Sequence, residues 1–271
     1  MPEGPEIHRE ADSIREALKG ESVSYLYFYH DHLKPYEKEL TGYTVKSVEA
    51  YGKGLVIGFE NDTWFYSHNQ LYGKWYIRNA GEYPDTNRQL RAEIQNHTYS
   101  ALLYSASEIE IMDGNALEEH SYLSKLGPDI LKPIEPETIV QRMKSDRFKR
   151  RSFAALLLDQ EFLGGIGNYL RSEILFDARI DPRKRPKDYQ DTQLAELARS
   201  AIIISHRAYQ TGGITADFDY VRVQKSNGAK RRKYRHYAFS GENKPCVNCR
   251  TPIKKEKISG RRLYYCPECI R

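Results

Sequence analysis

All four cysteines lie in the last 26 residues, as Cys246-x-x-Cys249, then sixteen residues, then Cys266-x-x-Cys269. Two thiolate pairs carried on two turns can converge tetrahedrally on one zinc. The stretch between them is long enough for a β-hairpin whose tip falls near Ser259-Gly260. Four thiolates leave no open position for water, so the expected zinc is structural and folds a hairpin too small for a core of its own. Disulfides are the competing reading. The chain opens MPEGPE, with neither the basic start nor the apolar core of a signal peptide, and contains no run of eighteen apolar residues. A soluble, cytosolic protein is therefore expected, in a compartment where thiols stay reduced.

Ahead of the cysteine module the hydrophobic period changes twice. In residues 5–19, Ile7, Ala11, Ile14 and Leu18 recur at helical spacing, with Pro5 suited to the first turn and Gly20 to the stop. From Ser22 to about Met112 the period is two. Short runs such as 44–50, 55–59, 63–68, 74–77, 90–95 and 99–104 predict seven or eight strands, and hence a sandwich or barrel. Beyond Gly127-Pro128 the segments 136–145, 151–160, 169–178 and 191–209 have helical length and spacing. Strands followed by helices argue separate domains rather than a parallel α/β sheet. Residues 212–230, polar and glycine-containing, read as a mobile connector.

The net charge of +5 conceals an asymmetry: from Val221 onward fifteen Lys and Arg face three Glu, leaving the first 220 residues at −7. Local basicity interleaved with Tyr234, Tyr237, Phe239, Tyr264 and Tyr265 favours a polyanionic partner, since each neutralised phosphate releases counterions. A solubilising basic tail is the plainer alternative. The hairpin loop carries Lys254, Lys255, Lys257, Arg261 and Arg262, a nucleic-acid surface once the loop is rigid.

Three further motifs are ambiguous one by one. Pro2 has a side chain small enough for removal of Met1, which would expose a secondary amine followed at once by Glu3. With a pKa near 7.7–8.0, a terminal amine is roughly one-third free near pH 7.5, against on the order of one in a thousand for a lysine. A terminus that merely enters a helix explains Pro2-Glu3 as well. Gly164-Gly165-Ile166-Gly167-Asn168 could offer backbone N–H groups and the Asn168 amide to a phosphate, or could be a tight turn with Asn168 as N-cap. Glu173, on the helix that follows, reads as a structural partner. Ser67-His68-Asn69-Gln70-Leu71-Tyr72-Gly73 sets a polar, an aliphatic and an aromatic side chain in succession, as a wedge between bases requires, though a hairpin edge would look similar.

In combination and in order, these segments are specific. MPEGPE, Gly52-Lys53-Gly54, SHNQLYG, YSAS at 104–107, LGPD at 126–129, LLLDQ at 156–160, GIGNYLRSEIL at 165–175 and the four-cysteine finger run through nearly the whole chain. The sequence resembles the formamidopyrimidine-DNA glycosylase and endonuclease VIII family, more closely its endonuclease VIII branch. The resemblance implies a multidomain α+β fold: an N-terminal β-sandwich preceded by a helix (1–127), a helix-two-turn-helix domain (128–220) and a zinc-finger hairpin (237–271). Damaged double-stranded DNA is the implied partner of a monomer that binds no membrane.

Roles follow from the resemblance as well. Pro2 is expected to attack the sugar C1′ of a flipped nucleotide and hold it as an iminium, with Glu3 as general acid and base. Lys53 would donate a proton in β-elimination, and Arg261, five residues before Cys266, would assist δ-elimination. Gln70, Leu71 and Tyr72 match the void-filling wedge, and Asn168 the phosphate contact of the two-turn motif. Lys125 stands where relatives are expected to carry Arg, keeping a phosphate-binding charge without bidentate geometry. Oxidised pyrimidines are the expected lesions. An oxidised-purine glycosylase is the runner-up, disfavoured because that branch carries His-Leu-x-Met-x-Gly where this chain has His68-Asn69-Gln70-Leu71-Tyr72-Gly73. A non-catalytic zinc-ribbon DNA-binding protein is the third reading.

Overall fold

The computed structural model describes residues 2–270 and divides into two compact units, one of Pro2 and 6–125, the other of 3–5 and 126–270. The position of Met1, and with it the expected processing, lies outside the described residues.

Helix α1 (Gly4–Leu18) places Ile7, Ala11, Ile14 and Leu18 on one stripe, and all four are buried. Eight strands follow: β1 (Tyr25–Phe28), β2 (Val45–Tyr51), β3 (Gly54–Phe59), β4 (Thr63–His68), β5 (Lys74–Asn79), β6 (Leu90–Gln95), β7 (Tyr99–Tyr104) and β8 (Glu108–Asp113). A short α2 (Pro35–Leu40) separates the first two, and α3 (Gly114–Glu119) follows the last. The strands form two antiparallel four-stranded sheets, ordered β2-β3-β4-β8 and β1-β6-β7-β5. Val48, Leu55, Ile57 and Phe65 from the first sheet share one core with Leu26, Phe28, Ile94 and Leu103 from the second and with the α1 stripe. Each fully buried side chain of this kind contributes about 1.5–3 kcal/mol. The expected sandwich preceded by a helix is thus the observed one.

The second unit holds α4 (Pro136–Lys144), α5 (Phe153–Leu156), α6 (Asn168–Asp177), α7 (Asp191–Thr211), α8 (Phe218–Ser226), α9 (Arg231–Tyr234) and the hairpin β9 (Lys254–Ile258) and β10 (Arg261–Tyr265). The hairpin turns at Ser259-Gly260, both at positive φ, as its sequence predicts. Leu263 and Tyr265 of β10 lie in the same core as Met143, Phe153, Leu170, Ile174, Leu197 and Ile204 of the helices.

Two expectations need correction. The helix expected over 151–160 stops at Leu156, because the Asp159 carboxylate accepts the Glu161 N–H (2.9 Å) and pairs with Arg151, holding the chain in a turn. The 212–230 stretch is no bare connector: α8 occupies Phe218–Ser226, started by the Asp217 side chain accepting from Tyr220 N–H (2.8 Å).

Candidate functional site

The start of α6 is capped from far away in sequence. Its first residues have no intrahelical acceptors, and Gly167, at the N-cap, offers no side chain. The Glu3 carboxylate takes that place, its Oε2 accepting from Gly167 N–H (2.8 Å) and Leu170 N–H (3.2 Å) and its Oε1 from Tyr169 N–H (2.7 Å). Glu3 is 2% exposed, so these bonds and the positive end of the helix replace the water a carboxylate would otherwise hold. The approach is so close that a Cβ on Gly167 would fall 2.3 Å from Glu3 Cδ. That contact, rather than a phosphate loop alone, accounts for Gly167.

Asn168 is consequently the first residue of α6 and not its cap. Its Oδ1 accepts from Arg171 Nη2 (2.6 Å), which leaves the amide NH2 as the part of the side chain able to donate outward. Arg171 is wholly buried and also donates to the carbonyls of Ala154 (2.8 Å) and Arg262 (3.1 Å), tying α5, α6 and β10 together. Burial, reinforced by the charge of Arg261, pushes its guanidinium down to about 10. Asn168, Arg171 and Arg261 therefore form one positively charged group in the same unit as Glu3. Arg171 escaped sequence reasoning, although its position three residues after Asn168 puts both on one helical face. Glu173 is fully buried as expected of a structural partner, accepting from the Thr215 hydroxyl (2.8 Å) and from Tyr237, Ala238 and Phe239 N–H (2.8, 2.8 and 2.7 Å). Burial raises its pKa.

In the first unit the β4–β5 connection presents the expected wedge residues. Leu71 is 47% and Tyr72 65% exposed, and Gln70 is exposed at φ +50. The base of the loop is closed: Gly73 N–H donates to Asn69 O (2.7 Å), and a Cβ on Gly73 would sit 2.6 Å from Asn69 Cα. Gln70 N–H donates to His68 Nδ1 (3.0 Å), while the Gln70 amide donates to Glu108. His68 is held below its ordinary pKa by burial, with Lys53 adding to the shift, so its ring serves as a neutral acceptor. Lys53 lies in the Gly52-Lys53 turn between β2 and β3, its N–H donating to the Tyr122 hydroxyl (2.9 Å). Tyr122 packs edge-on against His68. Lys53, His68 and Gln70 thus share surroundings that Tyr122 and Glu108, both missed in the sequence, help to build. Lys125 is exposed just ahead of Gly127-Pro128.

The four cysteine sulfurs lie within 4.8 Å of one another, with Sγ separations of 3.7 Å for Cys246–Cys269 and 3.4 Å for Cys249–Cys266 and Cys249–Cys269. Tetrahedral Zn–S bonds of about 2.3 Å require sulfurs about 3.8 Å apart, so the set fits one zinc. Asn248 N–H points at Cys246 Sγ (3.4 Å), the knuckle contact that stabilises a metal-bound thiolate. Among the described residues no other His, Cys, Asp or Glu cluster of three could hold a metal, and no helix is long and apolar enough to cross a membrane.

Comparison with known proteins agrees with this layout. Residues 1–107 match the formamidopyrimidine-DNA glycosylase N-terminal domain, 126–219 the formamidopyrimidine-DNA glycosylase H2TH domain, and 243–271 the zinc finger found in FPG and IleRS. The chain is 42% identical over 270 residues, 99% of both sequences, to Endonuclease 8 of Escherichia coli K12. It is 41% identical over 272 residues to that of Pectobacterium carotovorum, covering all of both. Wild-type Lactococcus lactis Fpg (MutM), complexed with DNA containing an oxidized pyrimidine, is similar in fold at a TM-score of 0.81 and 20% identity over the full length of both chains. The same protein complexed with abasic-site DNA gives 0.80 at 20% identity, covering 99% of both.

Proposed function

The chain belongs to the formamidopyrimidine-DNA glycosylase and endonuclease VIII family, and from that premise we propose how it selects and processes DNA. It is a base-excision-repair DNA glycosylase with abasic-site lyase activity, and its finger carries one structural zinc. The substrate is double-stranded DNA bearing an oxidised pyrimidine or an abasic site, bound by a monomer in the cytoplasm. The division of labour follows the three segments 1–127, 128–220 and 237–271.

After loss of Met1, the Pro2 amine forms a bond to C1′ of the flipped nucleotide while the bond to the damaged base breaks; the C1′–O4′ bond then opens, O4′ taking a proton, to leave a ring-opened iminium. Glu3 supplies and recovers the protons of that exchange. Loss of a C2′ proton then expels the 3′ phosphate, with Lys53 as proton donor, and Arg261 assists expulsion of the 5′ phosphate. Asn168 and Lys125 hold backbone phosphates, while Gln70, Leu71 and Tyr72 fill the gap. Cys246, Cys249, Cys266 and Cys269 hold the zinc, which supplies rigidity and no reacting group.

The observation that carries this reading is the Glu3 carboxylate, buried and fixed by three N–H donors one residue after Pro2. The pyrimidine preference rests on the consecutive exposure of Leu71 and Tyr72, which lets one loop fill the gap. A saturated pyrimidine has lost planarity and stacking, so extruding it costs less than extruding an oxidised purine. Single-turnover rates on matched duplexes test it. Thymine glycol or dihydrothymine should leave faster than oxidised guanine, and the opposite order would move the protein to the purine-directed branch.

A further inference from the structure

Asn69 differs from the three residues that follow it. Gln70, Leu71 and Tyr72 are exposed, whereas Asn69 is buried, and its side-chain NH2 donates to Glu10 Oε2 at 2.6 Å. The other oxygen of the same carboxyl, Oε1, receives Trp75 N–H at 3.5 Å, from the second residue of β5 just beyond the loop. One carboxyl therefore holds both feet of the 69–75 loop. Glu10 sits on α1, the helix that begins two residues after Pro2, and its apolar neighbours Ile7, Ala11 and Ile14 are locked in the sandwich core.

We propose that Glu10 is a positioning residue for the wedge, gripping Asn69 and Trp75 so that Leu71 and Tyr72 enter the DNA gap as a preformed unit. The proposal rests on the wedge reading of Gln70–Tyr72. Inserting apolar side chains between base steps has to offset several kcal/mol of unstacking, and a loop already ordered loses less entropy on insertion. The grip on Asn69 differs from that on Gln70, an exposed residue whose amide lies on the half-buried Glu108 carboxylate at the start of β8. Gln70 can leave Glu108 for an orphaned base while Asn69 stays on Glu10. The charged groups that bear on Glu10 are Glu6, one turn earlier on α1, and Lys74 at the start of β5. Burial holds the Glu10 carboxyl at about 7, consistent with a carboxyl enclosed by the loop it supports.

The test uses the full-length zinc-loaded protein and one abasic-site oligonucleotide, cleaved under single turnover either alone or annealed to its complement. Glu10→Ala is expected to slow duplex cleavage at least fivefold while single-strand cleavage stays within twofold, because only the duplex has a gap to fill. Glu10→Gln, whose amide oxygen can still accept from Asn69, should recover most of the duplex rate. Asn69→Ala added to Glu10→Ala should cost nothing more, as expected of two partners in one contact. Leu71→Ala is run alongside. If it is duplex-selective and Glu10→Ala is not, or if Glu10→Ala lowers both rates equally, the clamp is overturned and the wedge stands. If Leu71→Ala itself shows no duplex selectivity, the wedge reading falls and takes the clamp with it.

Discussion

Glu3 caps α6 through three backbone donors, and the proposed mechanism gives it a second task, exchanging protons with the reacting nucleotide. Glu3→Gln separates them. The amide offers one acceptor in place of two, so about 1–2 kcal/mol of stability should be lost. Base excision should fall sharply, while cleavage at a preformed abasic site, which needs no protonation of a departing base, should be spared. Thermal melting and paired excision and lyase assays read the two effects, and equal loss of both activities in a folded variant would contradict the assignment. Glu10 makes a different prediction. Its pKa of about 7 in the folded chain exceeds the ordinary 4.5, so the folded state binds its proton more tightly than the unfolded state. The stability it contributes is full at low pH and is lost as pH rises through about 7. Relative to Glu10→Gln, the wild type should lose on the order of 2 kcal/mol between pH 5 and pH 8. Parallel denaturant melts across that range would show it, and coincident pH profiles would refute it.

At the scale of elements, the zinc hairpin is the clearest case of structure legible in sequence. The cysteine spacing predicts both the metal set and the turn at Ser259-Gly260, because ligand geometry fixes them locally. The spacing gives no hint that β10 lends Leu263 and Tyr265 to the helical core. That sharing predicts how loss of metal spreads. Cys246→Ser should lack stoichiometric zinc and lose hydrogen-exchange protection in 243–270 and in α6, with the strands of 25–113 still protected. Loss confined to the hairpin would show that the shared core contributes little. The helices at 136–144, 168–177 and 191–211 were similarly legible, since a one-sided apolar stripe is a local signal. Helix α8 was not, because Phe218, Tyr220 and Val221 are scattered among charges and its start depends on a single Asp217 contact. The site was legible as residue types in order but not as contacts. Nothing near Gly167 announces that its acceptor is Glu3, and Glu10 reads as an ordinary polar position on an amphipathic helix until Asn69 is seen against it.

At the scale of the molecule, the chain concentrates its positive charge from residue 221 onward, more than two hundred residues in sequence from Pro2, the proposed nucleophile. The basic end is suited to holding phosphates, while the chemistry is assigned to a single amine at the other end. That assignment is the central claim, because DNA binding, zinc and wedge would all serve equally well with a lysine as nucleophile. Borohydride reduction during reaction with abasic-site DNA traps whichever amine holds C1′, and peptide mapping of the adduct identifies it. The adduct is expected on Pro2, in chains that have lost Met1; an adduct confined to Lys53 would contradict the account.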